Sequence, residues 1–267
     1  LNYITLQHII ETITGQSLRD FAKENIFDIL GMQYTDYLPT IQQQDGKWIN
    51  TVACPWMDRI APTEKQKDGS VLCGQVHDPL ARILNGGISG NAGIFSNAND
   101  IGILAAALLN GGEYNGRRIL SPLGVKTMCT VPRELTAFGR TPGWDIFSPY
   151  ASNKGDLFSP NTFGHTGYTG TSIIIDPDND TAVILLVNAV HPEDRHSIVR
   201  LRSLVANAVA ASICPPAQVY TDHYYKRFLQ FETETPISPK DIVMVGNSLT
   251  ENGGNWSKRL NKKNIRN

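Results

Sequence analysis

Apolar residues recur along this chain with two different periods, and the switch between them marks its elements. Tyr3, Leu6, Ile9, Ile10 and Ile13 fall three and four apart, which predicts a helix over 3–14 stopped by Gly15. His8 lies beside that stripe and reads as a structural histidine. Ser17-Leu18-Arg19-Asp20 has the form of a capping box, and Leu18, Phe21, Ala22, Ile26, Phe27 and Leu30 carry a second helix to Gly31. From Gln33 to Asp78 the periodicity is lost among prolines, glycines and charges, and so long a connection suits a functional loop or a lid. Val76-His77-Asp78-Pro79 opens a short helix through Leu84, with His77 and Asp78 read as a helix start in preference to a catalytic pair. The glycine-rich run Gly86–Ser96 is a tight backbone passage ending in a cap at Ser96 or Asn97. A helix over 99–109 follows, then a turn into a short strand before Leu120, then a helix from Ser121-Pro122 to about Cys129.

The period changes after residue 130. Residues 131–161 carry Phe138, Trp144, Phe147, Tyr150 and Phe158 among glycines, which predicts two weak strands. Ile173–Ile175 and Thr181–Val187 flank Asp176-Pro177-Asp178-Asn179-Asp180, the pattern of a β-hairpin whose turn is longer than the tightest type. Both arms are almost continuously apolar, so the hairpin belongs in a sheet covered on both faces. His165-Thr166-Gly167-Tyr168-Thr169-Gly170 leads into it. Small residues there let the backbone approach something closely, and a substrate can lie along such a strand edge. Ile198, Leu201, Leu204, Val205, Ala208 and Val209 then predict the longest helix, beginning at Pro192-Glu193, ending before Pro215-Pro216 and packing on that sheet.

Beyond it the character changes again. Residues 214–240 read as a proline-framed linker interrupted by tyrosines, after a first domain over 1–213. Asp241–Val245 is a short buried-type strand running into Gly246-Asn247-Ser248-Leu249-Thr250. A buried strand, a Gly-x-Ser turn and a helix together present a serine nucleophile at the end of a parallel strand, which makes Ser248 a candidate. Residues 241–267 are too short to enclose a core, so they are expected to pack poorly by themselves.

Composition narrows the function. A formal charge of −1 gives no electrostatic basis for nucleic-acid binding. No apolar run reaches membrane-spanning length. Cys54, Cys73, Cys129 and Cys214 are scattered without a CxxC pair, and the six histidines lack ligand spacing, so neither a metal nor another cofactor is expected. The chain starts without Met, directly in an amphipathic pattern, and reads as an internal piece of a longer protein.

Four stretches in order carry a family resemblance: LNYITLQHIIETITGQSLRDFAKENIFDILGM, VHDPLARILNGGISGNAGIFSNANDIGILAAALLNGG, RRILSP and GHTGYTGTSIIIDPDNDTAVILLVN. Together they resemble the C-terminal two thirds of serine β-lactamase/penicillin-binding-protein-like hydrolases, in the branch of class C β-lactamases and esterases. The resemblance covers residues 1 to about 212. It implies an α/β fold of the α+β type, with an antiparallel sheet flanked by helices and the N-terminal part lacking. It also implies acyl transfer through a serine ester, with Ser-x-x-Lys as nucleophile and base and Tyr-x-Asn as proton shuttle. His165, Thr166 and Gly167 match the third motif, and the N–H of Tyr168 would serve the oxyanion hole. His165 stands where most true β-lactamases have Lys, which points away from antibiotic hydrolysis and toward the esterase and peptidase relatives. Neither Ser-x-x-Lys nor Tyr-x-Asn occurs in the 267 residues, so this chain alone is expected to be inactive. DIVMVGNSLTENGGNW in turn resembles the first block of SGNH/GDSL esterases, with Ser248 as nucleophile. The resemblances imply a periplasmic or extracellular enzyme acting on small-molecule, peptidoglycan-type or carbohydrate ester substrates. A β-lactamase-like module that only binds cell-wall or glycan ligands, with catalysis confined to the SGNH part, is the alternative.

Overall fold

The computed structural model describes residues 1–149, 154–194 and 197–213, together with the backbone of 242–243 and 265–266. The chain divides into two units, Leu1–Ile213 and Cys214–Asn267.

In the first unit, helix α1 (Asn2–Thr14) ends at Gly15 in the left-handed region. Helix α2 (Leu18–Ala22) is capped by Ser17, whose hydroxyl accepts from the Asp20 N–H. It continues through a π-helical turn, Lys23–Phe27, into α3 (Asp28–Leu30). The aperiodic stretch holds three short strands: β1 (Asp36–Tyr37), β2 (Thr40–Gln42) and β3 (Trp48–Asn50). A second π-helical turn, Leu80–Leu84, precedes β4 (Ile94–Phe95), which pairs with β1. Helix α4 (Ala98–Leu109) is capped by Asn97, one of the two predicted residues. The β5 (Glu113–Tyr114) and β6 (Arg117–Arg118) hairpin and α5 (Pro122–Cys129) follow. The main sheet is β7 (Phe163–Thr166), β8 (Ser172–Asp176) and β9 (Thr181–Leu185), antiparallel with β8 central. Helix α6 (Val199–Ser212) closes the unit.

The sheet explains the unbroken apolar run of the hairpin. Strand side chains alternate between faces. Ile175 and Phe163 join Ala105 and Leu108 of α4 and Val125 of α5, while Ile174 and Val183 join Ala206 of α6. Both faces are therefore covered, and Ile175 is fully buried. Register pairs Asp176 with Thr181, leaving a four-residue turn. Asp176 organises that turn by accepting from the Ser159 and Asp178 N–H groups, the Ser159 hydroxyl and the Asn179 side-chain amide. Burial pushes its carboxyl up, and these hydrogen bonds outweigh burial and hold it below the ordinary aspartate range.

Three expectations are corrected. Residues 133–138 form a 3₁₀ helix, and 140–145 contribute isolated bridges rather than two strands, because Gly139 turns left-handed and ends regular pairing. The last helix begins at Val199 and not at Pro192. Pro192 is instead engaged with the long loop, since the Lys65 N–H donates to its carbonyl. His8 is exposed, as are Leu6, Ile9 and Ile13 on α1, and only half-buried Ile10 reaches the core cluster formed by α2, α3 and Ala107.

In the second unit, β10 (Ile242–Val243) pairs in parallel with β11 (Ile265–Arg266). Ser248, Cys214 and the rest of the linker and stub lie outside the described residues.

Candidate active site

The predicted strand entry is an open sheet edge. Along an antiparallel pair, alternate residues point their N–H and C=O groups toward and away from the partner strand. Gly164 points away from β8, exchanging both of its bonds with Asp145 at 2.9 and 3.0 Å. Thr166 has the same orientation, two residues on, where no strand covers it among the described residues. Gly167 points back, its N–H donating to the Thr171 carbonyl at 2.8 Å. The Tyr168 N–H follows the outward alternation and has no acceptor among the described residues. The outward N–H groups of Thr166 and Tyr168 thus stay unfilled among the described residues, as does the Thr166 hydroxyl, while the Thr166 carbonyl accepts from His165.

The glycines around this edge serve the protein's own packing. A Cβ at Gly167 would strike the Thr171 hydroxyl, and one at Gly170 would strike the Val187 carbonyl, with Gly170 also at φ 123°. The close approach read from the sequence is therefore between neighbouring backbones. A β-turn closes from the Gly170 N–H to the Gly167 carbonyl at 3.1 Å. Arg202 of α6, buried by the sheet, places Nη2 at 2.9 Å from the carbonyls of both Gly167 and Thr171.

His165 is fixed at both ring nitrogens. Nδ1 lies 2.9 Å from the Thr166 carbonyl, and Nε2 lies 3.3 Å from Arg140 Nη2. An arginine only donates, so Nε2 accepts and Nδ1 carries the hydrogen that goes to the carbonyl. Arg140 is itself held by Asp145, with Nε 3.1 Å from Oδ1. Asp145 is buried and accepts a further bond from the Ser148 hydroxyl at 2.6 Å. A permanent cation therefore stands beside His165. Strand alternation sets His165 and Thr166 on opposite faces of β7, so a ligand on the open edge lies between them.

The long aperiodic loop contacts Tyr168 and the segment after β9. His191 Nδ1 is 2.8 Å from the Thr63 carbonyl, and the Asn188 side chain bonds the Pro62 carbonyl. His77 stacks on the Tyr168 ring with centroids 5.8 Å apart and planes 20° apart. Its Nε2 is 3.4 Å from the Glu64 carboxylate. The Tyr168 hydroxyl donates to Asp194 at 2.5 Å, and that bond, followed by the charge of Asp194, raises the phenol above its ordinary range. Asp78 keeps its predicted structural role, accepting from the Ala81 N–H at 2.7 Å.

His165, Thr166, Gly167 and Tyr168 thus sit together at one edge, while Ser248 falls outside the described residues. Arg140, Asp145, His77 and Arg202 were not singled out as site residues by the sequence. Arg140 left one signal there, a cation flanked by glycines and aromatics between Phe138 and Trp144. Among the described residues no group of three or more His, Cys, Asp or Glu is arranged to hold a metal. Nor is any helix among them long and apolar enough to cross a membrane.

Comparison with known proteins places this edge in context. The family model described as Beta-lactamase matches residues 1–207. The chain belongs to the beta-lactamase family. A putative D-alanyl-D-alanine carboxypeptidase of Escherichia coli K12 is 35% identical over 205 residues, covering 72% of this chain and 44% of that protein. The chain spans less than half the length of the curated relatives it matches. Simvastatin synthase of Aspergillus terreus aligns with a TM-score of 0.52 at 17% identity, over 79% of this chain and 54% of that one. A beta-lactamase of Mycobacterium bovis aligns with a TM-score of 0.50 at 19% identity, over 78% and 61%. At such identities the structural matches speak for the fold. This beta-lactamase family member therefore has the β-lactamase/transpeptidase-like α/β fold.

Proposed function

We propose that residues 1–213 supply the substrate-binding wall of a serine acyl-transfer enzyme that cleaves an ester or amide bearing a nearby carboxylate. The observation that carries this reading is the unfilled N–H of Tyr168 on the open edge of β7, next to a cation at Arg140. An extended acyl group can hydrogen-bond to Thr166 along the edge, and its carbonyl oxygen then meets the Tyr168 N–H as negative charge develops. Arg140 recognises the carboxylate by a charge-assisted bond, which the neutral His165 ring cannot supply. A D-alanyl peptide of cell-wall type has this chemistry, in keeping with the carboxypeptidase name of the relatives. It fits an enzyme acting outside the cytoplasm.

The nucleophile of this reading is a Ser-x-x-Lys serine, absent from the 267 residues. The chain alone is accordingly inactive, and the complete gene product is the enzyme. The test is labelling with a fluorophosphonate probe. Labelling of the complete product at a Ser-x-x-Lys serine, with none in residues 1–213 expressed alone, is expected. Labelling within residues 1–213 sinks the reading.

The second unit supports an SGNH-type esterase start. A parallel pair formed by Ile242–Val243 and Ile265–Arg266 is the pairing of an α/β sheet, and Ser248 follows the first of these strands. Probe labelling of the complete product that survives S248A unchanged, at every site, rejects Ser248 as a nucleophile.

A further inference from the structure

The oxyanion donor assigned above belongs to the peptide unit joining Gly167 to Tyr168. A peptide unit is planar, with its C=O and N–H pointing in opposite directions. Whatever grips the Gly167 carbonyl therefore aims the Tyr168 N–H. Two donors do so: the Gly170 N–H at 3.1 Å and Arg202 Nη2 at 2.9 Å. The same Nη2 also holds the Thr171 carbonyl at 2.9 Å, and that carbonyl accepts the Gly167 N–H at 2.8 Å. Arg202 thus pins the turn from beneath, at both ends. The turn needs such a hold, because glycines at 167 and 170 leave its backbone otherwise permissive.

Arg202 is buried, and burial lowers its guanidinium from the ordinary arginine range. A cation in a low-dielectric setting acts strongly on a dipole in contact with it. Donation to a carbonyl draws charge through the peptide and makes its N–H a stronger donor. The charge of Arg202 reaches the reacting oxygen by this route without touching it.

We propose that Arg202 is a positioning residue for acyl transfer: its buried guanidinium orients and polarises the Gly167–Tyr168 peptide, and so sets the strength of the Tyr168 oxyanion donor. The inference rests on Tyr168 being that donor. It predicts a kcat effect with little change in KM, because an oxyanion forms in the transition state and not in bound substrate.

The test compares R202M, R202Q and R202K in the complete gene product by NMR and steady-state kinetics. R202M keeps most of the side-chain volume, R202Q keeps a neutral donor, and R202K keeps the charge. In R202M the Gly167 carbonyl carbon is expected to move upfield, the Tyr168 amide resonance to shift, and kcat to fall about tenfold to a hundredfold with KM within about threefold. R202K is expected to restore kcat more fully than R202Q. If R202M does not fold, the comparison of R202K with R202Q decides the matter. Unchanged Gly167 and Tyr168 resonances in a folded R202M or R202Q overturn the role of Arg202. Resonances that move while kcat stays at the wild-type value overturn the oxyanion role of Tyr168 instead, and the inference falls with it. A purely structural role would make R202K no better than R202Q.

Discussion

Replacing Arg140 by Gln separates recognition from folding. The guanidinium sits between two partners, Asp145 at 3.1 Å and His165 at 3.3 Å. On the folding side, Asp145 loses a cation but keeps the Ser148 hydroxyl at 2.6 Å. Its carboxylate is therefore not stripped bare, and the introduced glutamine offers a neutral amide in place of the guanidinium. The stability loss should be ~1–3 kcal/mol, the usual cost of a weakened hydrogen bond at a buried group, rather than the ~3–5 kcal/mol of a fully broken buried pair. The recognition side is separate. A hydrogen bond to a charged partner contributes ~1.5–3 kcal/mol, so kcat/KM for a carboxylate-bearing substrate should fall about tenfold to 150-fold. The assay uses the complete gene product and two substrates that differ only in that carboxylate, one free and one amidated. The amidated substrate has no charge for Arg140 to meet, and its kcat/KM should change by less than about threefold. R140K should fall between, since it keeps the charge and loses the planar fork. Urea unfolding of each variant confirms that the rates refer to folded protein. Equal losses for the two substrates would refute carboxylate recognition and leave Arg140 as a brace for β7.

Three further outcomes follow from the packing. Ile175→Ala should lower stability by ~2–5 kcal/mol, with the urea midpoint falling and the slope unchanged, because Ile175 is fully buried between β8 and helices α4 and α5. The Asp176 carboxyl titrates lower in the folded protein than the ~3.9 of an unfolded aspartate, so its contribution is present above pH ~4 and is lost as pH falls through the folded value. Urea unfolding at a series of pH values should show D176N less stable than wild type at neutral pH, with the gap closing in acid; a constant gap contradicts the assignment. Iodoacetamide should modify exposed Cys73 well before Cys129, whose thiol burial pushes up to about 11; mass spectrometry of a time course reads the order.

Local pattern carried much of the fold. Helices α1, α4 and α5 fall within a residue or so of their predicted bounds, because each has a stop or cap written beside it: Gly15, Asn97, and Ser121 before Pro122. The β8–β9 hairpin was legible for the same reason, with branched aliphatics on either side of a Pro/Asp/Asn turn. Residues 133–145 misled, since their aromatic content suggests strands while Gly139 and Thr141 impose turns. His77 misled in another way. Its neighbour Asp78 does start the helical turn, but the imidazole leans on Tyr168, ninety-one positions on.

At the site, His165, Thr166, Gly167 and Tyr168 are contiguous, so a motif suffices to find them. Arg140, Asp145 and Arg202 come to the same edge from 25, 20 and 37 positions away from His165. Nothing in their own neighbourhoods encodes that meeting. The family, the hairpin and the strand that bears the motif could be read from the residues in order, because caps, turns and strand periods act over a few positions. Three features could not: which edge of β7 stays open, which cation stands beside His165, and which guanidinium grips the peptide ahead of Tyr168. Those are meetings of distant segments, and they depend on how the helices cover the sheet.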